Sequence, residues 1–591
     1  MKRHVYITAK VTQKALFVLT LGIVCAGGLV SSAIAAPAQA GAGGEPMDPA
    51  ERTVILKAMA DELKRSQGEL KLEDYEHPYF IAYRIVDARS VRVQARFGAL
   101  LEDEDDRRRR VAVDVRVGSY DFDSSLKAND FDLFGEPAAF EPSQDAPIEG
   151  SAAILRATLW LLTDVAYKNA LSNFLKKRAQ KVSEIDDRKV GSLSKAEAIK
   201  HRDTPLKLET DRAGWADLAR RLSAKFKADP KLLEGAVRIE GTLWRVYLVN
   251  SEGTEIVKDQ RLYTVAFEAI TRAPDGMLLE QGRTHYSREW STLPDEATLF
   301  AQVDEALKNL EALRNAPVAD PYTGPAILEP QATGVFFHET LGHRLEGERQ
   351  SDEEEGRTFQ GQLGTRILPT FISVRDDPTV KSIGSLPLNG YYTHDDQGVP
   401  SRNVVLVQDG VLKTFLTSRT PVEGAPESNG HGRTQSTRSP MARMGNLIVE
   451  SSRRVPRKKL TDMLVKAARK QGKPYGLVIR DITGGSTNTS NYGYQAFKGS
   501  PRLVYRVDAR TGEETLVRGV EMVGTPLTAM NKILAASEEM DAFNGFCGAE
   551  SGYVPVSAVA PAMLFEEIEL QRTQKDKGRS PLLPPPWTAE K

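Results

Sequence analysis

The stretch Phe336-Phe337-His338-Glu339-Thr340-Leu341-Gly342-His343-Arg344-Leu345-Glu346-Gly347 constrains this chain more than any other part of it. An apolar lead-in from Ala332 to Phe337 seats a helix against a core, and two imidazoles with a carboxylate between them follow within six positions. The spacing is His-Glu-x-x-x-His, one residue longer than the i, i+4 pattern that puts two histidines on one helical face. At about 100° per residue an i, i+5 pair diverges by roughly 140°, so a straight helix would aim the rings apart. A π-bulge would realign them, and Gly342, just before His343, is a residue that lets a backbone leave helical geometry. Read this way, His338 and His343 are metal ligands. Read as an ordinary amphipathic helix, they are core or surface residues.

The cysteines narrow that choice. Lys2, Arg3, His4, Lys10 and Lys14 precede an apolar run from Ala15 to Val30, and small residues follow at Ala33-Ile34-Ala35 and Ala38-Gln39-Ala40, the layout of an export signal. The run is short for a membrane span and lacks a basic stop, so residues 1–40 are expected to be cleaved on export to a periplasm. Cys25 leaves with them, and Cys547 becomes the one thiol of the mature chain. An odd thiol in an oxidising compartment is buried and inert, bridged to another chain, or protected as a metal ligand. The glycines of Asn544-Gly545-Phe546-Cys547-Gly548 favour a site of close backbone approach over a packed strand interior.

The 591 residues carry 79 Lys and Arg against 80 Asp and Glu; removing the four basic residues of the signal leaves 75 against 80. That balance provides no footprint for nucleic acid. The length suits two domains or more. Residues 41–320 read as an N-terminal α+β domain of antiparallel sheet and long helices, with helical spacing over Pro49–Gln67, Ala152–Lys181, Gly214–Lys227 and Pro294–Leu313. Strand alternation marks Tyr79–Val86, Ser90–Leu100, Val111–Val117, Val237–Val249, Thr254–Val257 and Leu262–Thr271. Glu102 to Asp106 followed by Arg107 to Arg110 is expected to be a solvated, self-paired hairpin tip. Residues 321–572 turn to short strands, glycines and loops. Gln408-Asp409-Gly410 predicts a tight hairpin, and the polar stretch 424–446, holding His431 and Arg443, is either a lid or disordered. Residues 573–591 read as a disordered tail.

Taken together, Phe337 to Gly347, Asp395-Asp396-Gln397-Gly398-Val399-Pro400, Gly430 to Met444, and Phe546-Cys547-Gly548 with Val554-Pro555-Val556 resemble the TldD/PmbA family of metallopeptidases, in register over roughly 325–570. The resemblance is to the TldD-type, catalytic branch, because the PmbA-type branch generally lacks these ligands. It implies a metal on His338, His343 and Cys547, with Glu339 as general base. It also implies a β-rich C-terminal metallopeptidase domain, an enclosed active site, and a homodimer or a heterodimer with a PmbA-like subunit. Two imidazoles and a thiolate suit Zn2+ and leave one position open for water. The expected activity is hydrolysis of unfolded or short peptides in the periplasm by a metal-activated water, with no nucleic-acid partner and no membrane once the signal is removed. The rival reading is a non-catalytic envelope interaction protein, or a partner subunit of such a complex. Arg344, where the family usually has a small residue, is expected to touch substrate, and His394 and His431 to be surface or supporting residues.

Overall fold

The computed structural model describes residues 21–24, 51–125, 143–149, 151–181, 190–352, 355–491, 496–524, 526–573 and 578–588. The fold is α+β, built on two large sheets with two small two-stranded ones beside them. The expected signal start and cleavage site, and the glycine-rich lead after it, lie outside the described residues.

The chain opens with a short strand β1 (Leu21–Val24) and helix α1 (Glu51–Glu69), followed by the antiparallel pair β2 (Pro78–Arg96) and β3 (Ala99–Val117). Helices α2 (Ala152–Lys181) and α3 (Arg212–Ala224) come next, then β4 (Leu232–Asn250), β5 (Glu255–Arg272), β6 (Leu278–Ser287) and α4 (Glu296–Asn315). Strands β3, β2, β4, β5 and β6 are neighbours in that order in a seven-stranded sheet. Odd-numbered residues of β2 share one face. Ile81, Tyr83 and Ile85 join a core with α1 and α2, whereas Val91, Val93 and Ala95 join a second core with α3 and α4. All four helices therefore cover one face of the sheet.

These strands are longer than polarity alone suggests. The pairs expected as separate strands at 79–86 and 90–100, and at 254–257 and 262–271, are continuous in β2 and β5. The charge run 102–110 is not a hairpin tip. The turn falls earlier, at Phe97-Gly98, both with positive φ, and the run forms the body of β3. Alternation aims Arg107 and Arg109 inward to Asp87, at 2.8 and 2.6 Å, while Arg89 meets Asp105 at 2.8 Å across the ladder. Cross-strand pairing holds these charges in regular strand.

The C-terminal part runs through β7 (Tyr322–Leu328), α5 (Pro330–Phe337), β8 (Ile372–Asp376), β9 (Val404–Gln408), β10 (Asn446–Ser451) and α6 (Arg457–Lys470). It ends in β11 (Tyr475–Thr487), β12 (Phe497–Asp508), β13 (Ile533–Ala549) and β14 (Gly552–Arg572). All but the helices belong to one thirteen-stranded sheet, in which β7 pairs with both β11 and β14. Helix α5 starts two residues after β7 and packs against β11, β13 and β14. Phe336 meets Phe497 and Phe565 edge-on at 5.5 and 5.0 Å between centroids; such a fully buried ring contributes about 1.5–3 kcal/mol. Gly334 is needed there, because a Cβ would stand 2.5 Å from the Ala558 carbonyl oxygen. The hairpin at Asp409-Gly410 is as expected, with φ of 50° and 79°.

Three other stretches bear on what the sequence suggests. Leu21–Val24, inside the stretch read as a removable signal, is a strand of the large sheet between β11 and β13. In the stretch 424–446, Gly430 to Thr434 and Ala442 to Asn446 are buried and Gly432-Arg433 pairs with Met441-Ala442, while Gly424, Pro426, Glu427, Gln435, Arg438 and Ser439 are exposed. Part of the tail packs on the N-terminal sheet, with the Trp587 ring 5.0 Å from that of Phe97 and tilted to it by 41°. Among the described residues no helix is long and apolar enough to cross a membrane.

Candidate metal centre

Helix α5 ends at Phe337, and His338 to Gly342 continue it as a single π-helical turn, closed by the His343 amide donating to the His338 carbonyl. That i to i+5 bond is the wider turn needed to bring both rings to one side. The His338 and His343 rings lie 4.9 Å apart, nearly perpendicular. Cys547, carried in from β13, places Sγ 3.2 Å from His338 Nε2 and 3.4 Å from His343 Nε2. All three residues are fully buried, with ligand atoms within 4.8 Å of one another. A tetrahedral ion with bonds of about 2.05 Å to nitrogen and 2.3 Å to sulfur would hold N and S about 3.5 Å apart, so the spacing fits zinc.

The charges agree with the distances. Burial alone would lower the His343 pKa, yet the thiolate of Cys547 and the carboxylate of Glu346 raise it to about 10. Burial alone would raise the Cys547 pKa, and His343, Arg443 and His338 hold it well below the usual thiol range. A thiolate kept ionised in a buried pocket is an anionic ligand held ready, and a divalent ion binding there would displace the proton from the His343 ring. Glu346 orients His343, with Oε2 3.1 Å from Nδ1, the carboxylate–histidine pairing typical of metal sites. Glu346 is itself drawn down to about 2, against burial, by His343 and Arg349. His338 Nδ1 has no hydrogen-bond partner among the described residues.

Glu339 is fully buried, and its stem lies against β11, where a Cβ on Gly485 would stand 2.7 Å from Glu339 Cγ. Beside it, β1 runs antiparallel to both β11 and β13, with Ile23 opposite Gly485 on one side and Cys547 on the other. An extended main chain thus lies in a slot flanked by the strand that packs on Glu339 and the strand that carries the sulfur.

Two expectations about this region change. Arg344 does not reach outward. It is 2% exposed, and its Nη1 donates to the carbonyls of Glu339 and Thr340 at 2.9 and 3.2 Å and to Thr487 Oγ1 at 3.0 Å. Those carbonyls belong to the π-turn, where an ordinary i+4 amide is lacking, so the guanidinium caps the irregularity. Gly342 has an ordinary helical φ of −54°. It is glycine because a Cβ would meet Met444 Sδ at 2.1 Å.

His394 and His431 lie apart from the cluster. The His394 ring lies 4.5 Å from that of His201, tilted to it by 40°, and burial, His201 and Lys258 hold its pKa down to about 4. His431 is buried against Asp376, with Nε2 3.2 Å from Oδ1. Asp395 accepts backbone amides from Gln397, Val399 and Gly432, while Asp396 pairs with Lys258 at 2.8 Å. Both acids are structural. Arg349 and Glu348 go unnamed in the sequence reading, and Glu346 and Arg443 are named there without a role; only Glu346, three residues after His343, offers a spacing signal.

Residues 321–572 match the family model described as the PmbA/TldA metallopeptidase C-terminal domain. A Haemophilus influenzae protein named metalloprotease TldD homolog is 31% identical over 287 residues, 47% of this chain and 54% of that one. A Saccharolobus solfataricus protein named zinc metalloprotease TldD homolog is 24% identical over 365 residues, 60% of this chain and 75% of that one. The chain spans about half the length of the first curated relatives it matches. The crystal structure of TldE from Thermococcus kodakarensis superposes with a TM-score of 0.56 at 16% identity, covering 87% of this chain and 100% of that one, a likeness of fold. Residues 321–572 are thus a C-terminal domain of the TldD/PmbA family, and the chain shares the fold of TldE.

Proposed function

We propose that this protein is a zinc-dependent peptidase of the TldD type, acting on unfolded or short peptides in the periplasm after its leader is removed. The observation that carries the reading is the meeting of His338 Nε2, His343 Nε2 and Cys547 Sγ within hydrogen-bond distance, although Cys547 lies 204 positions from His343 in sequence. His338, His343 and Cys547 would hold a zinc ion, which would supply Lewis acidity toward a scissile carbonyl and a water. Glu339, next to a ligand and buried beside the strand slot, takes the proton from water and returns it to the departing amine. Arg344, bonded to the Glu339 carbonyl, keeps the turn that carries this carboxylate in place.

Substrate engages as an added strand in place of Leu21–Val24, by main-chain hydrogen bonds to β11 and β13. Gly484, Gly485 and Gly548 along the slot leave main chain within reach, which suits binding of little sequence preference. On the far face of β13, Phe546 borders a cavity of about 140 Å³ with Gln94, Arg238, Glu240 and Thr264 of the N-terminal sheet. That cavity has room for one side chain of an extended peptide. The fold shared with TldE supports a place in a TldD/TldE-type assembly, as a homodimer or with a PmbA-like subunit.

Metal analysis and a peptidase assay on the purified protein test this reading. The expected result is one zinc per chain, lost in Cys547→Ser, and hydrolysis of an unstructured peptide that chelation abolishes and added zinc restores. A chain that takes up no metal would overturn it.

A further inference from the structure

The two ends of the candidate metal centre come from distant parts of the chain, and something must set the gap between them. Arg443 lies between them, fully buried in the stretch 424–446. Its Nη2 donates to the carbonyl oxygen of Cys547 at 2.6 Å, and Nη1 donates to Ser551 Oγ at 2.8 Å and to the Gly552 carbonyl at 2.9 Å. One face of the guanidinium fork therefore grips both strands at the closed end of the β13–β14 hairpin. On its other side, Nε faces Glu346 Oε1 at 3.4 Å as a buried ion pair without a hydrogen bond. The second oxygen of that carboxylate is 3.1 Å from His343 Nδ1 and accepts from Arg349 Nε at 2.8 Å. Arg349 then returns to the same hairpin, with Nη2 2.9 Å from Glu550 Oε2.

We propose that Arg443 is a positioning residue of the metal centre: through Glu346 it ties the hairpin that delivers the Cys547 sulfur to the turn that presents His343. The proposal rests on the metal reading above and adds to it the means by which the third ligand is held in register. Geometry, beyond charge, is what this requires. A planar fork can satisfy a carboxylate on one edge and two carbonyls and a hydroxyl on the others, whereas an ammonium is a compact point charge on a flexible stem. Arg443→Lys therefore retains the charge and loses the bracket. Residues that orient the ligands of metal sites typically matter 10- to 100-fold in affinity.

The test compares Arg443→Lys and Arg443→Met with Arg245→Met in the full-length protein. Arg245 is an equally buried guanidinium, paired with Asp259 at 2.9 Å in the N-terminal sheet, and serves as the control for general destabilisation. Zinc affinity by competition with a chromophoric chelator, and the thiolate-to-metal band of the cobalt-loaded protein, are the readouts. Both Arg443 variants are expected to bind zinc 10- to 100-fold more weakly and to show an altered band, while Arg245→Met loses thermal stability and keeps wild-type affinity. Full affinity in Arg443→Lys would overturn the bracket, and so would an equal loss of affinity in Arg245→Met. Should the Arg443 variants fail to fold, Ser551→Ala removes one contact of the fork; it is expected to weaken zinc binding severalfold, and an unchanged affinity would count against the bracket. A second readout needs no metal. Modification of Cys547 by a thiol reagent, located by mass spectrometry in the metal-free protein, is expected to be at least tenfold faster in Arg443→Met. If the unaltered chain binds no zinc, the peptidase reading fails, and this labelling rate alone decides whether Arg443 holds the hairpin.

Discussion

Two regions of this protein bury charge, and they do so to different ends. In the N-terminal sheet, Asp87 sits between Arg107 and Arg109, whose Nη2 atoms, shared with Asp87, also reach Glu51 at 2.7 and 2.6 Å. Burial alone would raise the Asp87 pKa, and the two arginines hold it below the usual carboxylate range. Two cations and two anions close on one another. At the metal centre the count is similar, with Glu346 meeting Arg349 and Arg443, but the inner members differ. Two imidazole nitrogens and a sulfur converge on one point. Burial of charge therefore does not mark a site; convergence of lone pairs does.

That contrast can be broken or sharpened by experiment. The largest expected effect is catalytic: Glu339→Gln should retain zinc and lower kcat for peptide hydrolysis by at least about a hundredfold, measured at saturating peptide. In the N-terminal sheet, Asp87→Ala leaves two buried guanidinium groups short of their anion. It should cost about 3–5 kcal/mol in denaturant unfolding, and zinc affinity should not change. Gly342→Ala forces a methyl group into Met444 and should cost about 1–3 kcal/mol, with a lower Tm as the readout.

The smallest effect is one of pH. Glu348 accepts from Ser418 Oγ and the Ala442 amide, and burial, outweighing both, raises its pKa to about 7. A carboxyl whose folded pKa exceeds its unfolded value of 4.5 binds protons more tightly when folded. Its contribution to stability is therefore lost as pH rises from about 4.5 to about 7. Glu348→Gln, which cannot ionise, should gain Tm relative to wild type across that interval, and a difference independent of pH would remove Glu348 from this role.

Much of the site was readable in the chain because its chemistry is local. The i, i+5 spacing of His338 and His343 demands a widened turn, and the turn is there. Cys547 stood out as an odd thiol with burial, a bridge and ligation all open, and the family resemblance is what implied that it is a ligand. What could not be read depends on distance. Arg344 carries a charge that normally seeks solvent, and only the three-dimensional course of the chain shows two π-turn carbonyls and Thr487 waiting for it. Arg443 lies in a polar, glycine-rich stretch that looks like a loop because its partners, Glu346 and the 547–552 hairpin, are about a hundred residues away on either side. The charge run 102–110 misled for the same reason: polarity resembles a turn until a partner strand supplies the opposite charges at each step. The long helices of the N-terminal domain were legible because their apolar periodicity is written within a few turns.

The widened turn at His338–Gly342 has a consequence for how the motif can change. Deleting one residue between the histidines would restore the shorter spacing and an ordinary helical phase for both rings, yet everything after them would swing by about 100°. Arg344 would leave the carbonyls it caps, and Glu346 would leave the ring it steers. The longer and shorter spacings are therefore separated by a frame that a single deletion cannot cross without dismantling the support around it.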